Sequence, residues 1–204
     1  MTTTVGIFVF EHVEVLDFAG PYEVFTAAAR VDQRDHAPGA PLFNVFTVGS
    51  SNSPIRARAG LRMLPDHDFA HHPPIDLLII PGGVITQELD KAEVLGWIAS
   101  KACESSITAS VCTGAFLLAK AGLLNGKKAT THWEDIDELR RMLPRVMVQT
   151  DVRWVDEGSV VTSAGISAGI DMSLHLVERI AGREAALKTA RQLDFDWTEN
   201  SAVM

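Results

Sequence analysis

Short apolar runs alternate with stretches whose apolar residues recur at helical spacing, and the alternation continues along the whole chain. This is the pattern of an α/β protein with a mostly parallel sheet and helices on both faces. Thr4 to Phe10 reads as the first strand and Leu42 to Gly49 as the second. Between them, Gly20-Pro21 opens a helix through Arg30, with the proline near the first helical position, where its missing N–H costs nothing. Ile55 to Arg58 and Leu61 to Leu64, joined at Ala59-Gly60, form a hairpin. Ile75 to Ile80 is a nearly continuous apolar run, as a buried central strand is, and Ser106 to Val111 reads as the next buried strand. The first ends in Pro81-Gly82-Gly83. The second feeds Cys112-Thr113-Gly114-Ala115 into an apolar helix, Phe116 to Leu124, and a helix over Thr86 to Cys103 separates the two strands.

Thr131-His132-Trp133-Glu134 has the spacing of a capping box and starts a helix that Pro144 stops, with Trp133, Ile136 and Leu139 as its core stripe. Val146, Val148, Val152 and Trp154 make two short strands, and Ser159 to Thr162 makes another. Two helices follow, Ser167 to Ala181 and Arg183 to Phe195, with Gly182 as the C-terminal cap between them. No repeat, linker or low-complexity tract interrupts the 204 residues, so one domain over 1–204 is expected.

Composition narrows the function classes. The net charge of −8 repels a phosphate backbone, so no nucleic-acid partner is expected. Met1-Thr2-Thr3-Thr4 carries no basic region, and Val5 to Phe10 is too short for a signal core or a membrane span. A cytoplasmic protein without a membrane partner is expected, with Cys103 and Cys112 as reduced thiols. His67, His71 and His72 sit among Asp66, Asp68, Pro73 and Pro74 in a surface connection without a second ligand set, so neither metal nor cofactor is expected.

In open parallel sheets, ligands bind beyond the carboxyl ends of the strands. Asp17, Gly82-Gly83 and Cys112-Thr113 converge there. A residue between a strand end and a helix start is held in a tight turn with its side chain displayed. The unpaired helix N–H groups stabilise an anion at that point. Cys112 therefore reads as a nucleophile with a pKa below the free value of about 8.5, although cysteines are more often packing residues. Cys103, inside a helical pattern, reads as packing. Gly82 and Gly83 allow close backbone approach, and the N–H groups of Gly83 and Thr113 are expected to form an anion hole over a substrate. Glu23 reads as a solvated or capping carboxylate. His132 either points toward the pocket, as a substrate-binding residue beside Gly82 and Gly83, or caps its helix.

Four motifs together resemble the ThiJ/PfpI superfamily: Val111-Cys112-Thr113-Gly114-Ala115, Ile79-Ile80-Pro81-Gly82-Gly83, Leu16-Asp17-Phe18-Ala19-Gly20-Pro21-Tyr22-Glu23 and Ala129-Thr130-Thr131-His132-Trp133. The resemblance covers nearly the whole chain and is greatest to isonitrile hydratase-like proteins. It implies the class I glutamine amidotransferase-like, flavodoxin-like three-layer fold, and a homodimer acting on a small molecule. Cys112 matches the family nucleophile, Asp17 the acidic residue beside it, and Thr113 the threonine that follows it. Peptidase-like members place histidine where this chain has Thr113, which argues against a Cys-His protease. His175 and Glu178 are wrongly spaced for the amidotransferase pair.

Two charges about 4 Å apart repel by about 4 kcal/mol at an effective dielectric of 20, or roughly three pK units, so Asp17 and Cys112 are expected to share one proton. The implied reaction is hydration of an isonitrile to an N-substituted formamide through a thioimidate on Cys112. A glyoxalase-type hydratase of small ketoaldehydes needs the same thiol, but those relatives generally carry glutamate where Asp17 stands. The motifs also occur in the sensor domains of AraC-type regulators. The chain stops at Met204, which leaves no room for a helix-turn-helix region, so DNA binding is not expected.

Overall fold

The apolar run that ends at Ile80 lies in the middle of a sheet because only a strand covered on both faces can bury every side chain. The computed structural model describes residues 2–35 and 39–200; Met1 and Met204, the chain ends named above, lie outside them. In chain order the elements are β1 (Thr3–Phe8), α1 (Val15–Asp35), β2 (Phe43–Gly49), β3 (Ile55–Arg56), β4 (Arg62–Met63), β5 (His67–Asp68), β6 (Leu77–Ile80), α2 (Ala92–Glu104), β7 (Ile107–Val111), α3 (Gly114–Lys120), β8 (Lys128–Ala129), α4 (Ile136–Met142), β9 (Met147–Val148), β10 (Trp154–Asp156), β11 (Val160–Ser163), α5 (Ala168–Ala181) and α6 (Arg183–Gln192). Every residue of β6 and β7 is buried.

Seven strands form one sheet in the order β10-β11-β7-β6-β1-β2-β5. All neighbours run parallel except β10 and β11. Ile7 sits opposite Ile79, and Ile79 opposite Ala109, so the carboxyl ends of β1, β6 and β7 finish side by side. Helices α1, α5 and α6 pack together, and α2 packs with α3, giving the three-layer α/β sandwich. Among the described residues, no helix is long and apolar enough to cross a membrane.

Several boundaries differ from the sequence expectation. The first helix starts at Val15 and carries Gly20 and Pro21 inside it. Pro21 falls in its second turn and withholds one N–H from the ladder. The strand expected from Ile75 starts at Leu77, and just ahead of it Asp76 Oδ2 accepts the Thr4 N–H at 2.8 Å. The last helix ends at Gln192 rather than Phe195, with Asp194 in left-handed conformation at φ 51°. Gly182 takes φ 91°, as a C-terminal cap requires.

Trp133 does not join the core stripe. Residues 133–135 form a short 3-10 turn ahead of α4, which leaves the indole 76% exposed while Ile136 and Leu139 are buried. Cys103 is exposed rather than packed, because the buried stripe of α2 runs through Val94, Trp97 and Ile98. His67 lies on edge strand β5, His71 bonds Asp68 at 3.0 Å, and His72 lies 3.4 Å from Trp97 Nε1. Glu23 pairs with Arg30 on the surface, and His175 pairs with Asp156 instead of Glu178.

Candidate functional site

β7 ends at Val111 and α3 begins at Gly114, so the chain must reverse direction within two residues. Cys112 takes up the bend at φ 56°, a left-handed conformation that costs a side-chain-bearing residue about 1 kcal/mol or more. Three backbone hydrogen bonds hold it there. Its N–H donates to Ser163 O at 3.2 Å, and its carbonyl accepts from the Ala115 N–H at 3.3 Å and the Thr131 hydroxyl at 2.8 Å. Thr131 therefore fastens this turn instead of capping the next helix.

Gly114 lets the turn lie on the end of β6. A methyl group there would overlap the Ile80 carbonyl and approach Pro81 O at 2.9 Å. These are backbone atoms at the end of a central strand and cannot step aside. Gly114→Ala should cost about 3 kcal/mol, visible as a lowered urea midpoint with an unchanged slope.

Asp17 lies in the first turn of α1, completely buried. Its Oδ2 accepts the Gly82 N–H at 3.1 Å, while Oδ1 is buried without a hydrogen-bond partner. Gly82 is needed because a Cβ there would come within 2.9 Å of Asp17 Oδ2 and 2.6 Å of both Thr113 N and Oγ1. Burial pushes the carboxyl up to about 7 from 3.8. Glu14 adds to the rise, while the Gly82 N–H, the Cys112 thiol and the Arg58 cation oppose it. Burial and then the Asp17 charge push the Cys112 thiol upward too, against the pull of the Thr113 N–H. The expected downward shift of Cys112 is thus reversed, because the loss of water outweighs the helix-end N–H groups. The two groups share a single proton once pH rises past about 7.

The buried carboxyl has a consequence for stability. Unfolded Asp17 ionises near 3.8, whereas in the folded protein it keeps its proton to about 7. Its contribution is fully present below pH 3.8, declines as pH rises toward 7, and is constant above. Asp17→Asn removes this dependence, so the variant should gain on the parent by at most about 4 kcal/mol between pH 4 and 7. Urea unfolding at several pH values measures the difference.

Thr113 and Gly83 are joined in a closed pair: the Gly83 N–H donates to Thr113 Oγ1 at 2.9 Å, and Oγ1 donates to Gly83 O at 3.1 Å. The Gly83 N–H is therefore already used and cannot form the expected anion hole. Gly83 instead holds the loop before α1 against the sheet, bridging Val13 at φ 139°.

The two readings of His132 separate cleanly. Its side chain makes no cap hydrogen bond. The ring faces Gly165, where an added methyl would overlap the imidazole and lie 3.1 Å from Cys112 Sγ. On the far side of the ring, Nδ1 is 3.5 Å from Asp135 Oδ2. Thiol, imidazole and carboxylate thus follow one another across the site. Gly165 and Asp135 carry no marker in the sequence, since each gains its place only by packing against residues distant along the chain. A cavity of about 270 Å³ opens beside Gly83, Thr113 and Asp135.

Comparison with known proteins agrees with this architecture. The model of the DJ-1/PfpI family matches residues 3–179. Isonitrile hydratase of Pseudomonas putida is 32% identical over 197 residues, covering 96% of this chain and 79% of that protein. The HTH-type transcriptional regulator GbdR of Pseudomonas aeruginosa is 27% identical over 97% of this chain, which spans only 52% of the regulator. A ThiJ/PfpI family protein from Pseudomonas syringae superposes with a TM-score of 0.84 at 27% identity, covering 96% of this chain and 76% of that one. By the extent of these matches and by its three-layer fold, the chain belongs to the DJ-1/PfpI family.

Proposed function

We propose that the protein is a cysteine-dependent hydratase that adds water to a small organic isonitrile. The observation that carries this is the buried Asp17 carboxyl, raised to about 7, with one oxygen unpartnered at the Cys112 site. Such a pair supplies a nucleophile and a proton donor together. The Cys112 thiolate attacks the terminal carbon of R–N≡C while Asp17 delivers its proton to that carbon, giving the thioimidate R–N=CH–S. Water then adds to the carbon. One of its protons passes to nitrogen and the other returns to Asp17 as the C–S bond breaks. The products are R–NH–CHO and the Cys112 thiolate. His132, which faces Gly165 as the sulfur does, guides the water. Thr113 sets the turn through its bond to Gly83, and Gly82 sets Asp17. The similarity to an isonitrile hydratase supports the same chemistry.

Incubation of the purified protein with a panel of alkyl and aryl isonitriles should yield the matching formamides by mass spectrometry. No formamide from any of them, with hydration of methylglyoxal to lactate, would replace this reaction with the ketoaldehyde one. The similarity to GbdR favours a second reading, a ligand-sensing module. Binding of an isonitrile or ketoaldehyde without turnover would select it. We also propose that the protein acts as a homodimer in the cytoplasm; a strictly monomeric mass in light scattering at working concentration would remove the dimer.

A further inference from the structure

Arg153 precedes β10 and grips both ends of the segment that carries Gly165. Its carbonyl accepts the Ala164 N–H at 2.9 Å, and its Nη2 donates to Ser167 Oγ at 3.2 Å. Between these anchors lies Gly165, whose Cα faces the Cys112 sulfur and the His132 ring. Arg153 is itself held from behind. Nε donates to Asp171 Oδ2 at 2.9 Å, and Nη2 contacts the same oxygen.

Asp171 is fully buried, and a buried carboxylate is tolerated only when its oxygens are paired. The chain beyond α6 completes that pairing. The Thr198 N–H donates to Asp171 Oδ1 at 2.8 Å, and Trp197 Nε1 donates to Asp171 O at 3.1 Å. Asn200 Oδ1 accepts the Arg153 N–H at 2.7 Å, while its Nδ2 donates to Trp154 O at 2.7 Å. Arg183 fastens the strap with two bonds to Glu199, at 2.8 and 2.7 Å, and lies over the Trp197 ring.

We propose that Arg153 is a positioning residue of the site, locked by Asp171 and the 197–200 strap, and that it fixes Gly165 so that Cys112 and His132 stay in register. This rests on Cys112 as the reacting group. Reactions of held groups are sensitive to displacements below 1 Å, so a loosened 164–167 segment should slow chemistry more than it weakens binding.

The test uses the full chain with Cys103→Ala as background, so that iodoacetamide reports Cys112 alone. Ser167→Ala removes the side-chain link from Arg153 to the loop at an exposed residue and leaves the buried pair and the Ala164 N–H bond to the Arg153 carbonyl intact. Arg153→Lys keeps the charge opposite Asp171 but loses the fork that reaches Ser167. Each should change the Cys112 alkylation rate and lower kcat by about tenfold with KM nearly constant, and Ser167→Thr should restore most of both. A merely structural role would lower the urea midpoint while the folded protein alkylates at the parental rate. That result, or parental rates and kcat in both variants, overturns the proposal. The alkylation arm also separates this failure from that of the hydratase reading. If no formamide forms but both variants alter alkylation, the positioning role stands and the substrate assignment falls.

Discussion

Cys112→Ala should abolish turnover while the folded protein survives almost unchanged. The backbone at this position is left-handed, and alanine bears the same Cβ as cysteine, so the substitution adds no strain. All three backbone anchors, to Ser163, Ala115 and Thr131, use N–H and carbonyl groups that alanine keeps. Stability should therefore move by about 1 kcal/mol or less. The reaction, in contrast, has no other route to a covalent intermediate: Cys103 is exposed on α2, whereas Asp17 is buried in α1. Loss of a nucleophile that works with its partner as a unit costs at least on the order of 10⁴-fold. Circular dichroism, a urea midpoint and a formamide assay on one preparation measure both sides, with Cys103→Ala as the control that keeps most activity. Turnover retained without the Cys112 sulfur would end the proposed mechanism.

Asp17→Asn should lower turnover by on the order of a hundred- to ten-thousand-fold, the usual cost of losing a general acid. The amide has the same shape and can still accept the Gly82 N–H, so the loop before α1 stays in place. It cannot deliver a proton to the isonitrile carbon. Alkylation of Cys112 behaves differently. The charge on Asp17 is the second cause, after burial, that pushes the thiol upward, and the variant removes it. The Cys112 thiol should then ionise at lower pH than it does opposite the Asp17 carboxylate, and alkylation near neutral pH should persist while turnover collapses. Normal turnover together with normal alkylation would mean that Asp17 only supports the loop.

Much of this protein is written locally. The run Leu77–Ile80 specifies a buried central strand because an unbroken apolar stretch of that length has nowhere else to go. Pro81-Gly82-Gly83 and Cys112-Thr113-Gly114 bring Gly82 and Cys112 to the sheet edge where Asp17 follows the first strand, since parallel strands bring their carboxyl ends together. The turn at Cys112 was legible for the same reason. What the tertiary structure decided concerns solvent and partners. Helix N–H groups next to Cys112 predicted an acidified thiol, but the water removed by α1 and the surrounding strands pushes it the other way. Sequence position leaves the Gly83 N–H free, but in the fold it donates to the Thr113 hydroxyl. Thr131 and His132 matched a capping box by spacing, yet one fastens the Cys112 carbonyl and the other faces Gly165. Trp133 kept helical spacing with Ile136 and Leu139 but ended in solvent, because a 3-10 turn rotates it off the buried stripe. Periodicity and turn chemistry are properties of neighbours in sequence, so they can be read along the chain. Desolvation and hydrogen-bond occupancy are sums over groups brought together from many elements, and only the assembled fold contains those sums.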